Sequence, residues 1–340
     1  MIQTVGSATP ILDVRNLTVT LHTPKTSVRP VDRVSYTVNE GEILAIVGES
    51  GSGKTILNLA PLGLLPAGVD SDIEGSVRFE GQDVLTSGED KLRAVRGGGI
   101  GVIFQDPLSA LNPVRKIGRQ IAEVAEEHLK LTPRAAEQRA GELLSLVGLP
   151  DPLSRLQQYP HELSGGQRQR VGIAMSIAGE PRLLIADEPT TALDVTVQAQ
   201  IVSLLKDLQR RLKMAIVMIT HDIGVVSGMA TKVAVMYAGR LAEIGSVDDV
   251  LTRSVHPYTL GLLNSVPTLK APIGSRFSGL PGSPPDLSRR IDGCAFMPRC
   301  SQAIPNCERG RPPLVHAPGD SPEHLAACPV VMNKLADELA

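Results

Sequence analysis

The stretch GESGSGKT, Gly48 to Thr55, fits the spacing G-x-x-x-x-G-K-[ST] and directly follows an apolar run, Ile43 to Val47, that reads as a buried strand. Glycines let successive backbone N–H groups curl around phosphate oxygens, and a helix that opens straight after the turn adds positive potential. Gly48, Glu49, Ser50, Gly51, Ser52, Gly53, Lys54 and Thr55 are therefore the candidate phosphate-binding residues. Lys54 can reach the β- and γ-phosphates of a nucleotide, and Thr55 can ligate Mg²⁺. A bare strand-to-helix turn requires neither a lysine nor a hydroxyl at these offsets.

A nucleotide site also needs an acidic element, and RLLIADEPTTALD supplies one at the end of a second apolar strand, Leu183 to Ala186. Asp187 is expected to hold Mg²⁺ through water, and Glu188 beside it to polarise an attacking water. Adjacent carboxylates at a strand end are otherwise electrostatically awkward. A third strand, AIVMIT, runs into His221, which the same strand-end position makes a catalytic candidate. The plain alternatives are an exposed loop for the carboxylates and a structural histidine.

The elements that must position these groups alternate between strand and helix as far as about residue 250. Val197, Ile201, Leu204, Leu205, Leu208 and Leu212 recur at helical spacing before the apolar strand that starts near Met214, a βαβ pattern. Residues 119–147 read as helical with a break near Pro133, and KVAVMYAGRLAEIG reads as a hairpin around Ala238 to Arg240. Beyond Pro257 the chain turns rich in proline and polar residues. The expected fold class is α/β. A core domain spans 1–250, with a helical subdomain at about 106–180, and an extension spans 251–340.

At 340 residues with net charge −2, the chain has ample length to bury a core and no broad attraction for nucleic acid, which is not an expected partner. No apolar run approaches the roughly 20 residues that cross a bilayer, and MIQTVGSATPILDV lacks the basic and apolar regions of a leader, so a cytosolic location is expected. All four cysteines, Cys294, Cys300, Cys307 and Cys328, fall in the extension. Their spacing lacks the paired C-x₂-C of zinc fingers, so a tetrahedral metal or cluster site, unliganded thiols and disulfides all stay open.

HELSGGQRQRVGIAMS carries a family resemblance, since Leu163 to Gln167 look like the signature sequence of ATP-binding cassette ATPases. On its own, LSGG could be only a glycine-containing helix cap. In that family the order is P-loop, glutamine loop, signature, Asp-Glu, D-loop and switch histidine, matched here by Lys54, Gln105, Ser164, Glu188, Asp194 and His221. The resemblance implies a P-loop cassette fold in which two domains sandwich two ATP molecules. It assigns Glu188, His221 and Gln105 to catalysis, and Thr55, Gln105 and Asp187 to Mg²⁺. Ser164, Gly165, Gly166 and Gln167 would contact the nucleotide on the partner's P-loop. One departure stands out: family members carry an aromatic that stacks on adenine near the end of the first strand, where this chain has Leu21, with His22 or Arg29 as substitutes.

VIFQDPLSALNP, HPYTLGLLNSVP, LPGSPPDL and GCAFMPRC further resemble the ATPase subunits of bacterial dipeptide and oligopeptide importers. That resemblance implies a cytosolic motor at the cytoplasmic face of the inner membrane. Its implied partners are a second, distinct ATPase subunit, two permease subunits and an extracytoplasmic peptide-binding protein. It also implies a [4Fe–4S] cluster on the four cysteines, with zinc as the alternative. Other expectations to weigh are importer ATPases for nickel complexes and soluble cassette proteins that act on nucleic acid or ribosomes. The latter usually carry two cassettes or a long coiled coil, and neither is visible here.

Overall fold

The computed structural model describes residues 9–66, 68–265, 279–319 and 321–338. Residues 1–8 of the opening segment, and 266–278 of the extension, lie outside the described residues. In chain order the strands are β1 (Leu12–His22), β2 (Ser27–Val38), β3 (Ile43–Val47), β4 (Asp70–Phe79), β5 (Gln82–Asp83) and β6 (Ile100–Ile103). They continue with β7 (Leu183–Asp187), β8 (Ala215–Thr220), β9 (Lys232–Tyr237), β10 (Arg240–Ser246), β11 (Val315–His316) and β12 (Leu325–Ala326). The chain forms two compact units, one built mainly from Thr37–Ile43 and Arg78–Ile219, the other from Val14–Tyr36, Leu44–Val77 and the chain from Thr220 onward.

In the first unit, β6, β7 and β8 run parallel, with Ile100 opposite Leu183 and Leu183 opposite Ala215. Every residue of β7 is buried, as the unbroken apolar run of a strand covered on both faces requires. The helix Val195–Leu212 crosses back between β7 and β8 and buries Ile201, Leu205 and Leu208 at helical spacing, while Leu212 at its end is exposed. The helices Ile117–Leu129 and Pro133–Leu146 pack on each other and on the helix Gly165–Ser176. The break foreseen near Pro133 has a local cause. Lys130 takes a left-handed conformation, Thr132 caps the next helix by accepting from Ala135 N at 3.4 Å, and Pro133 sits where no backbone donor is needed.

In the second unit, β1 lies between β2 and β4. β3 runs parallel to β9, Leu44 opposite Lys232 and Val47 opposite Val235. β9 and β10 form the expected hairpin, turning through Ala238 and Gly239 at φ 47° and 79°, the positive values that match a tight two-residue turn to strand twist. The extension then adds β12 to β10, and β11 to β12, both antiparallel. The chain has four Phe, four Tyr and no Trp, and three of those eight rings meet here. Phe296 of the extension lies 5.3 Å from both Tyr237 and Tyr258, edge-on to the former. A large share of the aromatic burial is thus spent on seating the extension against β9.

Candidate functional site

Gly48 to Thr55 connects β3 to the helix Lys54–Leu59 as the strand-turn-helix motif requires. Two of its glycines are obligatory: a Cβ at Gly48 would stand 2.1 Å from Met236 O, and one at Gly53 would stand 1.9 Å from Pro30 O, at φ 152° and 98°. Lys54 is buried, and its Nζ donates to Gly48 O at 2.9 Å and Glu49 O at 3.0 Å, so the ammonium lies within the curve of the loop. Ser52 Oγ is buried with no hydrogen-bond partner among the described residues, an unmet polar group in a loop of the kind that cradles phosphate.

Glu49 is held from outside the loop. Its N–H donates to Tyr258 Oη at 2.9 Å, and its carboxylate accepts a fork of two bonds, from Arg299 Nη1 at 2.7 Å and Nη2 at 2.9 Å. Both partners lie in the extension. Arg299 had no place in the sequence reading, which attended to the cysteines around it. Among the expected adenine-facing groups, Leu21 is half-buried in β1. His22 is engaged with Ser27 Oγ and Asp72 Oδ2, each at 2.9 Å. Arg29 lines a cavity of about 860 Å³ together with Arg33, Arg240 and Arg311.

In the first unit, Asp187 is buried at the end of β7 and Glu188 follows, half-buried, with φ 45° in the left-handed region. A non-glycine residue there is uncommon and marks a backbone held by its surroundings. Glu188 N donates to Ile219 O at 2.9 Å, and Glu188 Oε2 accepts from Gln105 Nε2 and from Thr191 Oγ1, both at 2.9 Å. The structure thus brings Gln105 and Glu188 together. Thr191 was missed, although it lies three residues along in the same PTTALD loop.

Ser164 caps the helix Gly165–Ser176 in a full capping box: Gln167 N donates to Ser164 Oγ at 3.3 Å and Ser164 N donates to Gln167 Oε1 at 3.0 Å. Ser164 is exposed, and the cap uses its Oγ only as an acceptor, which leaves the hydroxyl able to donate to a group outside the cap. Gly166 is tight, since a Cβ would come within 2.9 Å of Val197 Cγ1. Asp194 caps the helix Val195–Leu212, accepting from Val197 N at 2.9 Å. His221, in the second unit, is exposed immediately after β8.

Residues 31–191 match the ABC transporter family, and residues 242–307 match the oligopeptide/dipeptide transporter C-terminal region. The oligopeptide transport ATP-binding protein OppD of Bacillus subtilis is 48% identical over 90% of this chain and 86% of its own length. The chain belongs to this family of transporter ATP-binding proteins.

Other members show the same breadth of likeness. The dipeptide transport ATP-binding protein DppD of Bacillus subtilis is 46% identical over 89% of this chain and 90% of its own. OppD of Salmonella typhimurium is 46% identical over 94% of each. Among solved structures, an ATP-binding cassette dimer in a post-hydrolysis state with ADP and Pi matches 69% of this chain at TM-score 0.61 and 28% identity. CbiO1 of Clostridium perfringens matches 73% at TM-score 0.61 and 27% identity. The fold is that of an ATP-binding cassette, mixed α/β as expected. Among the described residues, no helix is long and apolar enough to cross a membrane.

The expectation of a [4Fe–4S] cluster, or zinc, on Cys294, Cys300, Cys307 and Cys328 is corrected. Among the described residues, no group of three or more His, Cys, Asp or Glu side chains could hold a metal ion, and all four cysteines are free. The names of the family relatives speak of ATP binding and of oligopeptide or dipeptide transport. The physical reason is geometric, since a metal needs three or more donors converging on one point and the described side chains form no such group. Burial pushes the Cys294 thiol up to about 11 and also raises Cys300 and Cys328. What closes this part of the extension is hydrogen bonding and packing. Cys294 N donates to Cys307 O at 2.8 Å, and Cys294 and Cys300 pack against the cluster around Phe296.

Proposed function

We propose that this chain is the ATPase subunit that powers import of dipeptides or oligopeptides through membrane permease partners. The observation that carries the reading is the presence in one chain of the cassette at 31–191 and the peptide-transporter C-terminal region at 242–307. On this reading residues 1–250 are the ATPase core, 106–180 its helical subdomain and 251–340 the extension. The full complex has a second, distinct ATPase subunit, two permeases and an extracytoplasmic peptide-binding protein, with this chain on the cytoplasmic face.

The roles follow from the donors present. The loop from Gly48 to Gly53 turns its backbone N–H groups, other than that of Glu49, which Tyr258 holds, on the triphosphate, and Lys54 and the unmet Ser52 Oγ add a charge and a hydroxyl. Thr55 and Asp187 supply the hard oxygen ligands that suit Mg²⁺, with Gln105 as a further oxygen donor. The ion, when bound, neutralises charge on the β- and γ-phosphates. Glu188, fixed by Gln105 and Thr191, orients and polarises the attacking water. His221 assists at the γ-phosphate. Ser164 presents a hydroxyl, and Gly165 and Gly166 unhindered amides, to the nucleotide of the partner subunit, with Gln167 holding the cap beside them and Asp194 at that junction. ATP bonded by both halves favours closure, and loss of phosphate removes those bonds.

The test is reconstitution of the chain with its permeases in vesicles, with ATP hydrolysis and uptake of labelled peptide read together. Peptide-stimulated hydrolysis coupled to uptake is expected. Hydrolysis coupled to another cargo, or to ribosomes or nucleic acid, would replace the peptide assignment.

A further inference from the structure

Arg299 lies 250 residues from Glu49 in sequence, yet both of its terminal nitrogens donate to that one carboxylate. Its Nη1 and Nη2 grip Glu49 at 2.7 and 2.9 Å, its Nε donates to Pro281 O at 2.6 Å, and its Nη1 also donates to Tyr237 Oη at 3.2 Å. The guanidinium lies 5.8 Å from the Tyr237 ring centre and 5.9 Å from that of Phe296, and the side chain is 5% exposed. The bond to Glu49, and that to Tyr237, hold its pKa above the usual arginine value against burial, which would lower it. The group stays charged.

Glu49 is the second residue of the phosphate-binding loop, and an ionised carboxylate there opposes a bound triphosphate. Its main-chain oxygen accepts from Lys54 Nζ at 3.0 Å, and its N–H is fixed by Tyr258 Oη. The residue clamped by the extension is therefore also the one that braces the phosphate-binding lysine. We infer that Arg299 is a positioning residue for ATP binding: it neutralises Glu49 and fixes the loop geometry around Lys54, which makes the extension part of the nucleotide site. The inference rests on the reading of Gly48–Thr55 as an ATP site. A simple anchor for the extension would need the packing on Tyr237 and Phe296, and would not need its charge matched to a residue of the loop.

The test is equilibrium binding of Mg-ATP to the full chain, wild type against Arg299→Gln, Arg299→Lys, Glu49→Gln and the double variant Arg299→Gln/Glu49→Gln, with limited proteolysis of each. Loss of a charge-assisted fork is expected to weaken binding about tenfold or more in Arg299→Gln. Arg299→Lys, which keeps the charge without the fork, should fall between. The double variant should recover most of the loss, because no carboxylate is left to neutralise. In turnover assays of the assembled complex, the Arg299→Gln loss should fall on KM for ATP far more than on kcat. Unchanged affinity in Arg299→Gln with an intact digestion pattern would overturn the inference. A double variant as weak as Arg299→Gln would also overturn it, showing an anchor only. If the wild-type chain bound no Mg-ATP, the ATP reading itself would fail, a result distinct from either.

Discussion

Gln105 and Glu188, 83 residues apart, meet through one hydrogen bond of 2.9 Å, and Thr191 donates to the same Glu188 oxygen at the same distance. Two donors on one oxygen hold the carboxylate in a fixed orientation just beyond the end of β7. Glu188→Gln keeps the shape and removes the base. Turnover is expected to fall by about 10²- to 10⁴-fold, the usual worth of a general base, while ATP stays bound. Phosphate release and retained nucleotide, measured in the assembled complex, check this, and near-normal turnover would take Glu188 out of the role.

Gly48→Ala tests the loop geometry rather than its chemistry. The added methyl meets Met236 O, a backbone atom with little freedom to move. Overpacking of this kind costs about 1 to 3 kcal/mol, so the urea midpoint should drop and Mg-ATP affinity should be lost with it. A variant as stable and as tight-binding as wild type would show that the loop relaxes.

Ser164 has two separable duties. Ser164→Ala removes the cap and should cost about 1 kcal/mol of stability along with turnover. Ser164→Asp keeps a capping oxygen but discards the hydroxyl proton and adds negative charge. It should therefore preserve stability while turnover still collapses. Equal stability losses in both variants would contradict the capping account, and normal turnover in the aspartate variant would contradict contact with the partner's nucleotide.

His256 predicts acid sensitivity in the second unit. It is buried, its Nδ1 accepts from Tyr258 N at 3.1 Å, and Glu243 and His324 are its charged or titratable neighbours in the same hydrogen-bonded group. Burial pushes its pKa down to about 4, although the Glu243 carboxylate pulls the other way. The unfolded chain takes up this proton near pH 6.5, so the stabilisation is complete above that value and is lost as pH falls from about 6.5 towards 4. The whole effect is about 3 kcal/mol. Urea unfolding across this range should show it, and His256→Asn, which retains a capping acceptor, should flatten the slope.

Local chemistry was legible in the chain and distant partnership was not. Lys54 and Thr55 follow their strand within a dozen residues, Pro133 breaks its helix where it stands, and Ala238 and Gly239 turn the hairpin between runs that pattern as strands. Each depends on neighbours a few positions away. Arg299 gripping Glu49, Tyr258 bonding the same residue, and the two-residue strands β11 and β12 depend on segments brought together only by the folded sheet. The cysteines misled for a related reason: four thiols in a tail suggest ligands, but whether their side chains converge on one point is set by the fold, which spacing does not encode.

The clamp on Glu49 also sets an order of events at the ribosome. Tyr258 and Arg299 are made 209 and 250 residues after the residue they hold. At about 5 to 20 residues per second, Arg299 follows Glu49 by roughly 12 to 50 s. Through that interval the nascent chain displays a phosphate-binding loop whose carboxylate has no guanidinium opposite it. On the inference above, the loop reaches its full affinity for nucleotide only once Arg299 has been made and seated, and a chain stopped before Arg299 should bind Mg-ATP with the weakened affinity expected of Arg299→Gln.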